Sequence, residues 1–516
     1  MADPDEADVV VIGAGHNALV CAAYLAASGL EVVVLEAREV PGGNTVTEQL
    51  TLPGFQHDSC SSAHVLIQAN PLLRDDELGL LARYGLRYVR TDPAVVMPLP
   101  DGDAVVMHRD LEATVGELAR WSAPDAAAFR ALVGEWEGGL AAAHGRWNSG
   151  LPVGDVPAGT AYEALRRRSA WDVVTERFEH PVVRSFLLWL AFATIQPPDR
   201  PGTGALPAAI AAGRLRHGWA TPVGGSGALP GALLAHLVDH GGRCHTGAAV
   251  TRILVRHGRA AGVRTADGRE VRARRAVVSS AHVVDLPGLL DGVALPDDLR
   301  AAQEAWRPGL SLFAVHAALR ADLRWHTGAG DRVAVAGALG TATGLRDQLA
   351  AFQAGHTDPG EGWLLVVSST VVDPDRAPDG AATLKLLTVA PYKRADGQDW
   401  DRAKTAYAEQ LLARVADRAE GLKPGDVLAV RAESPVDLAR ANRHNRGGSC
   451  HGGEFRTPDG GTVPGWPAHR SGVPGLYLTG ATTHPGGSVS GRPGRNTARV
   501  LLGDLGLEPA QVMGPG

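Results

Sequence analysis

Val9-Val10-Val11-Ile12 is an unbroken run of mostly β-branched apolar residues, the pattern of a parallel strand covered on both faces. The run ends in Gly13-Ala14-Gly15. From His16 to Ser28, the small and apolar residues Ala18, Leu19, Ala22, Ala23, Leu25 and Ala26 recur at helical spacing, and Gly29 stands where a left-handed cap closes a helix. A second strand, Glu31 to Leu35, follows at once, so the chain opens with a βαβ unit. The same periodicities return after Gly224-Gly225-Ser226-Gly227: an amphipathic helix from Leu229 to His240, then a strand-rich run from Gly247 through Val250, Ile253, Val263 and Val271 to Val278. They return once more in the tail, as the strand Leu476-Tyr477-Leu478 and a helical stretch from Asn496 to Leu505.

Between these segments the pattern is mixed, helical and extended by turns. The longest apolar run, Phe186 to Ile195, falls short of the roughly 20 residues a membrane span needs and predicts a buried helix, with peripheral membrane contact left open. No repeat of fixed period is present. A length of 516 residues favours two or three domains. The returning pattern predicts an α/β fold: a discontinuous Rossmann-type domain made of residues 1–70, 215–290 and 435–516, and a mixed α+β second domain made of 71–214 and 291–434.

Composition narrows the function. A net charge of −6 and a pI near 6.3 argue against a nucleic-acid partner. Gly and Pro, 64 and 34 residues, are dispersed among periodic segments and indicate turns rather than disorder. Cys21, Cys60, Cys244 and Cys450 form no closely spaced pair, which predicts neither a disulfide scaffold nor a metal site. The acidic stretch Met1 to Asp8 lacks the basic region of a signal peptide, so the expected compartment is the cytoplasm.

The clearest chemical signal is Gly13-Ala14-Gly15-His16-Asn17-Ala18 between a strand and a helix, with Glu36 at the end of the next strand. Gly13 permits the tight turn, Gly15 lets backbone approach a pyrophosphate, and Ala18 is small enough to stand in for the usual third glycine. Free N–H groups at the helix start face the phosphates, and Glu36 suits a ribose hydroxyl pair. These residues indicate a dinucleotide without separating a flavin from a nicotinamide one.

Glu36-Ala37-Arg38-Glu39-Val40-Pro41-Gly42-Gly43 and the tail Leu476-Tyr477-Leu478-Thr479-Gly480-Ala481-Thr482-Thr483-His484-Pro485-Gly486-Gly487-Ser488-Val489-Ser490-Gly491 resemble the amine oxidase and phytoene desaturase superfamily of flavoproteins. Val223-Gly224-Gly225-Ser226-Gly227 and the strand at Val250 are similar as well. Gly15-His16-Asn17 and His484-Pro485-Gly486-Gly487 look most like the phytoene desaturase-like group that includes pyridine nucleotide-disulphide oxidoreductase domain-containing protein 2. The resemblance implies bound FAD, held by Gly13 to Ala18, Glu36, Ala37, Arg38, Gly42, Gly43, Asn44, Val250, Gly480, Ala481, Gly487, Ser488 and Val489. A helix starting near Val489 or Gly491 would set its positive end against the flavin N1–C2=O edge.

Candidates for substrate chemistry are His484, His451 and His64, each also readable as a structural histidine. His57 and Asp58 join His64 in a polar cluster that also reads as a solvated turn. Arg492 and Arg495 suit a substrate carboxylate, the flavin phosphates or surface salt bridges, and Cys450 or His16 a covalent flavin tether. The resemblance implies oxidation of C–H or N–H bonds in a small or medium organic substrate by hydride transfer to FAD, with oxygen or a quinone as acceptor. A redox-neutral isomerase and a flavin-free binding protein similar to the GDP-dissociation inhibitors are the alternatives. Few aromatics and charges such as Arg166, Arg167, Arg168, Arg320 and Arg324 suggest a fairly polar substrate.

Overall fold

A computed structural model describes residues 5–290, 292–327, 335–358 and 360–514. The first four residues of the acidic amino terminus lie outside the described residues, as does residue 291 at an expected domain boundary. The opening pattern folds as strand β1 (Glu6–Ile12), helix α1 (His16–Ala27) and strand β2 (Val32–Leu35). Helix α2 (Ala228–Asp239), strand β3 (Glu270–Ser279), strand β4 (Leu476–Leu478) and helix α3 (Arg492–Asp504) join them from far along the chain.

Five strands run parallel in one sheet: β4 beside β3, then β1, β2 and Arg243–His245. Ile12 pairs with both Ser279 and Leu35, so β1, β2 and β3 end level. Strand β3 is shared along its free edge. Its first three residues pair antiparallel with Arg259–Thr265, and its last three residues pair with β4. On one face lie α1, α2 and α3, and the other carries a separate apolar cluster that includes Leu286, Leu290 and Leu299.

Helix α1 is buried from Asn17 to Ala26, which explains its run of alanines: it is enclosed by the sheet, α2 and α3. A Cβ on Gly494 would stand 2.2 Å from the carbonyl oxygen of Asn17 and 2.8 Å from Val20 Cβ. Only hydrogen at that position lets the two helices touch backbone to side chain. Helix α3 begins four residues earlier than its periodicity suggests, at Arg492, because Gly491 turns the chain at φ 64° and Pro493 suits a first helical turn.

The second sheet has seven strands, in the order Val427–Glu433, Leu312–Leu319, Ala382–Val389, Leu364–Val367, Ala336–Leu339, Val95–Pro98 and Ala104–Met107. One face packs on helices drawn from residues 111–217, the other on the helix Trp400–Ala416. The apolar run near Phe186 is the helix Pro181–Phe192, enclosed in the first of these cores together with Trp363. No helix among the described residues is long and apolar enough to cross a membrane.

The α1–α3 contact is testable within one helix. Gly494→Ala should lower stability by about 1–3 kcal/mol through overpacking. Gly503→Ala, where an added Cβ meets nothing within 4 Å, should be neutral or stabilising by up to about 1 kcal/mol. Urea midpoints of the two variants check this, and equal midpoints would remove the close-packing argument.

Candidate active site

The level ends of the parallel strands place Gly13, Glu36, Ser280 and Thr479 along one edge, where α/β sheets bind ligands. Backbone bonds stitch this edge: Gly13 N–H donates to Leu35 O at 2.7 Å, Ser280 N–H to Ile12 O at 3.0 Å, and Thr479 N–H to Ser279 O at 2.9 Å. A Cβ on Gly13, at φ 87°, would lie 2.4 Å from Ser280 Oγ. Glu36 is buried, and its carboxylate accepts from Ala14 N–H at 2.6 Å and from Arg38 N–H at 2.8 Å. Gly42 N–H donates to Ala14 O at 2.8 Å, which brings the second glycine pair to the first turn, and a Cβ on Gly43 would sit 3.1 Å from Gly15 Cα. The amides of His16, Asn17 and Ala18 have no intrahelical acceptor and open on the space in front of the loop.

That space is one cavity of about 900 Å³. It begins at Glu36, Val250 and Leu289, passes the glycine loop, Asn44 and Ser488, and ends under the second sheet among Leu66, Ile210, Leu312 and Leu387. Residue Asn44 ties the walls together: its side-chain amide donates to Asn445 Oδ1 at 2.7 Å, while Asn442 Nδ2 donates back to Asn44 Oδ1 at 2.9 Å.

Of the residues named from sequence, Gly13, Gly15, His16, Asn17, Ala18, Glu36, Ala37, Arg38, Gly43, Asn44, Val250, Gly480, Ala481, Ser488 and Val489 line the cavity, as does His451. Ala14, Gly42 and Gly487 stand behind its wall, the last against the His451 backbone. His64 and His484 do not reach it. The His64 ring is buried between Tyr88 Oη at 3.0 Å and Ser226 Oγ at 3.1 Å, and His484 bonds the Trp147 carbonyl and meets the Trp147 ring edge-on.

His57 and Asp58 form a short buried strand paired with Thr47–Glu48 rather than a solvated turn. Asp58 pairs with Arg376 at 2.7 Å, and His57 Nε2 meets Thr51 Oγ1 at 2.8 Å. Arg492 and Arg495 face away from the cavity, the first onto Ser149 Oγ and the Ala69 carbonyl, the second onto the Glu77 carboxylate. The arginines that suggested a polar substrate are also elsewhere. Arg166, Arg167 and Arg168 pair with Glu163, Asp459 and Glu176, Arg320 bonds the Gly425 carbonyl, and Arg324 is exposed.

Sequence reading missed Ser280, His282, Arg214 and the run Asn442-Arg443-His444-Asn445-Arg446, all on the cavity wall. The dense polar run before Gly447-Gly448 was a legible signal. Another was Lys385, the one charge in the otherwise uncharged buried strand Ala382–Val389; its Nζ donates to Cys60 O at 2.6 Å and Ser62 Oγ at 2.9 Å.

Burial sets the electrostatics. It holds His16, His444 and His451 at about 4, so each is neutral near pH 7. Burial also pushes the Asp58 carboxyl up, but Arg376, Ser226 N–H and Thr47 together hold it below the usual range. Among the described residues of the wall, seven buried side-chain atoms have no partner: His16 Nε2, Asn17 Oδ1, Arg214 Nε, Trp219 Nε1, His282 Nε2, His444 Nε2 and His451 Nδ1. With the glycine cradle, they fit an extended ligand that brings its own donors and acceptors.

This fold and cleft define an FAD-dependent oxidoreductase. The model of the flavin containing amine oxidoreductase family matches residues 19–502, and the chain belongs to that family. It is 30% identical to a limonene dehydrogenase polypeptide of Castellaniella defragrans, with 99% of this chain and 98% of that protein aligned. It is 29% identical to pyridine nucleotide-disulfide oxidoreductase domain-containing protein 2 of Mus musculus, over 97% and 94%. The solved structure of cyclohexylamine oxidase from Brevibacterium oxydans has the same fold, with a TM-score of 0.58 at 18% identity over 98% of this chain and 100% of that one.

The buried histidines make stability depend on pH. An unfolded chain takes up a proton on each near 6.5, whereas the folded chain holds His16, His444 and His451 neutral down to about 4 and His57 and His64 down to about 3. The unfolded state therefore binds more protons below about pH 6.5, and stability falls from there as the pH drops, before carboxylates titrate. Thermal scans should show a Tm that is flat from about pH 7 to 8.5 and declines steadily below about pH 6.5. A flat Tm down to about pH 5 would contradict neutral buried imidazoles.

Proposed function

We propose that this chain is an FAD-dependent dehydrogenase that oxidises a C–H bond of an apolar, unsaturated substrate. One observation carries the reading: the inner end of the cavity is walled by Leu66, Ile195, Ile210, Leu312, Leu365 and Leu387. Among the described lining residues the only carboxylates are Glu36 and Asp285. Glu36 belongs to the glycine-loop end, and Asp285 is paired with Arg446. An ammonium substrate would have no counter-ion at the inner end, and desolvating it there would be costly. The likeness to the limonene dehydrogenase polypeptide supports a hydrocarbon substrate.

In this reading the FAD-binding domain is 1–70, 215–290 and 435–516, and 71–214 with 291–434 form the substrate domain. Glu36 holds the ribose, Val250 meets the adenine, and the amides of α1 with Arg38, Gly42 and Gly43 take the pyrophosphate. Asn44, Gly480, Ala481, Gly487, Ser488 and Val489 border the flavin ring. Bound FAD supplies a hydride acceptor at N5, and the protein supplies orientation, water exclusion and a proton path. His451 is the one of the three candidate histidines at the cavity wall. Its Nδ1 is buried without a partner, so it is placed to take the proton that substrate oxidation releases. Oxygen or a quinone takes the electrons.

Anaerobic mixing of the FAD-loaded protein with monoterpene hydrocarbons should bleach the oxidised-flavin absorption and leave it bleached. Putrescine and cyclohexylamine should leave it yellow. His451→Gln should slow the bleaching about 10²-fold. Bleaching by amines but not by hydrocarbons would overturn the reading, and rearranged double bonds without bleaching would make the protein an isomerase.

A further inference from the structure

Four arginines among the described residues are almost wholly buried: Arg214, Arg376, Arg492 and Arg495. Three are matched. Arg376 faces Asp58, Arg495 faces Glu77, and Arg492 bonds the Ser149 hydroxyl and the Ala69 carbonyl. Arg214 is not. It sits in the last turn of the helix Leu206–His217, is 5% exposed, and lines the cavity beside Ile210 and Trp219. Its guanidinium lies 4.0 Å from the centre of the Trp219 ring. It has one hydrogen bond, from Nη1 to the Gly218 carbonyl at 3.4 Å, and its Nε has none. Nor does Arg214 form a salt bridge with any carboxylate of the described residues.

A buried guanidinium without a counter-ion is among the costlier arrangements a fold can hold. Burial pulls its pKa down, and no neighbouring charge opposes that. The indole below it offers a cation–π surface, which steadies the plane of the group but leaves its in-plane donors unspent. Trp219 adds to the surplus, since its buried Nε1 also lacks a partner. Two residues on one stretch of apolar wall thus carry spare donors and a positive charge, with no acceptor to meet them. A ligand that completes this wall brings acceptor oxygens and negative charge.

We propose that Arg214 anchors a carboxylate at one end of the substrate, so that the cavity takes an apolar chain or ring system ending in an acid group. The proposal rests on the apolar reading of the inner cavity and refines it: the hydrocarbon body fills the Leu and Ile walls, and the acid end is drawn to Arg214 and Trp219. A planar guanidinium meets a carboxylate through two parallel N–H bonds, which also fixes the direction in which the body lies. Arg214 is accordingly a specificity-determining and positioning residue, which sets which carbon of the body is presented for oxidation.

The test uses the FAD-loaded protein and three probes that differ only in head group: octanoate, octan-1-ol and octylamine, each titrated against the flavin absorption spectrum. Octanoate should bind at least about 10-fold tighter than the alcohol, the gain expected of a charge-assisted pair in a desolvated site, and the amine weakest of all. Arg214→Met, which keeps the length and removes the charge, should erase the preference for the acid and leave the alcohol within about twofold, while Arg214→Lys should keep part of it. Equal binding of acid and alcohol to the unaltered protein would overturn the proposal and leave the apolar reading standing. If none of the probes binds, both fall. Should Arg214→Met fail to fold, the head-group comparison on the unaltered protein and on Arg214→Lys still decides the matter.

Discussion

The peptide of Ala14 is tied at both ends. Its N–H donates to the Glu36 carboxylate at 2.6 Å, and its carbonyl accepts from Gly42 N–H at 2.8 Å. These two bonds lock the turn after the first strand to the ends of the second strand and the second glycine pair. With that turn fixed, the first amides of α1 face the cavity, and α1 can be enclosed tightly enough to need Gly494 against Asn17. The cofactor end is assembled around this crossing, with neighbouring strand ends joined by backbone bonds from Gly13 to Leu35, Ser280 to Ile12 and Thr479 to Ser279.

The second domain contributes a wall rather than another motif. Its sheet separates two apolar cores, and Leu312, Leu365 and Leu387 come from the side that faces the cleft. Charge is nevertheless buried close by, and the manner of its burial differs from place to place. Asp58 and Arg376, Glu77 and Arg495, and His316 and Glu433 are matched pairs that join segments distant in the chain. Lys385 is satisfied by a carbonyl and a hydroxyl. Among the described residues, the buried cation left without a partner is at the cavity wall, and there the imbalance describes what enters the cavity instead of how the chain folds.

The first turn, its helix, the acid after the second strand and the glycine-rich tail were legible in the sequence because each rests on local chemistry: unbroken apolar runs for covered strands, small residues for close backbone, a carboxylate at fixed spacing. Helix α3 was visible but late in its start, since Pro493 and the arginines around it break the apolar period without breaking the helix. His64 and His484 looked chemical in sequence and prove to be ring-bonded packing residues, because a histidine beside a conspicuous loop reads the same whether its nitrogens face a cavity, a tyrosine or a carbonyl.

By itself the sequence determined that the chain builds a split dinucleotide-binding fold, for those requirements lie in short stretches whose spacing is set by strand and helix geometry, while the choice of FAD came from the family resemblance of its glycine-rich stretches. The tertiary structure alone decided which side chains meet the substrate. Arg166, Arg320 and Arg324 went to hydrogen bonds or solvent, while Arg214 was left unmatched beneath the second sheet. The reason is physical: a charge acquires its role from the partner it finds after burial, and for these residues that partner, or its absence, is set by segments distant in the chain.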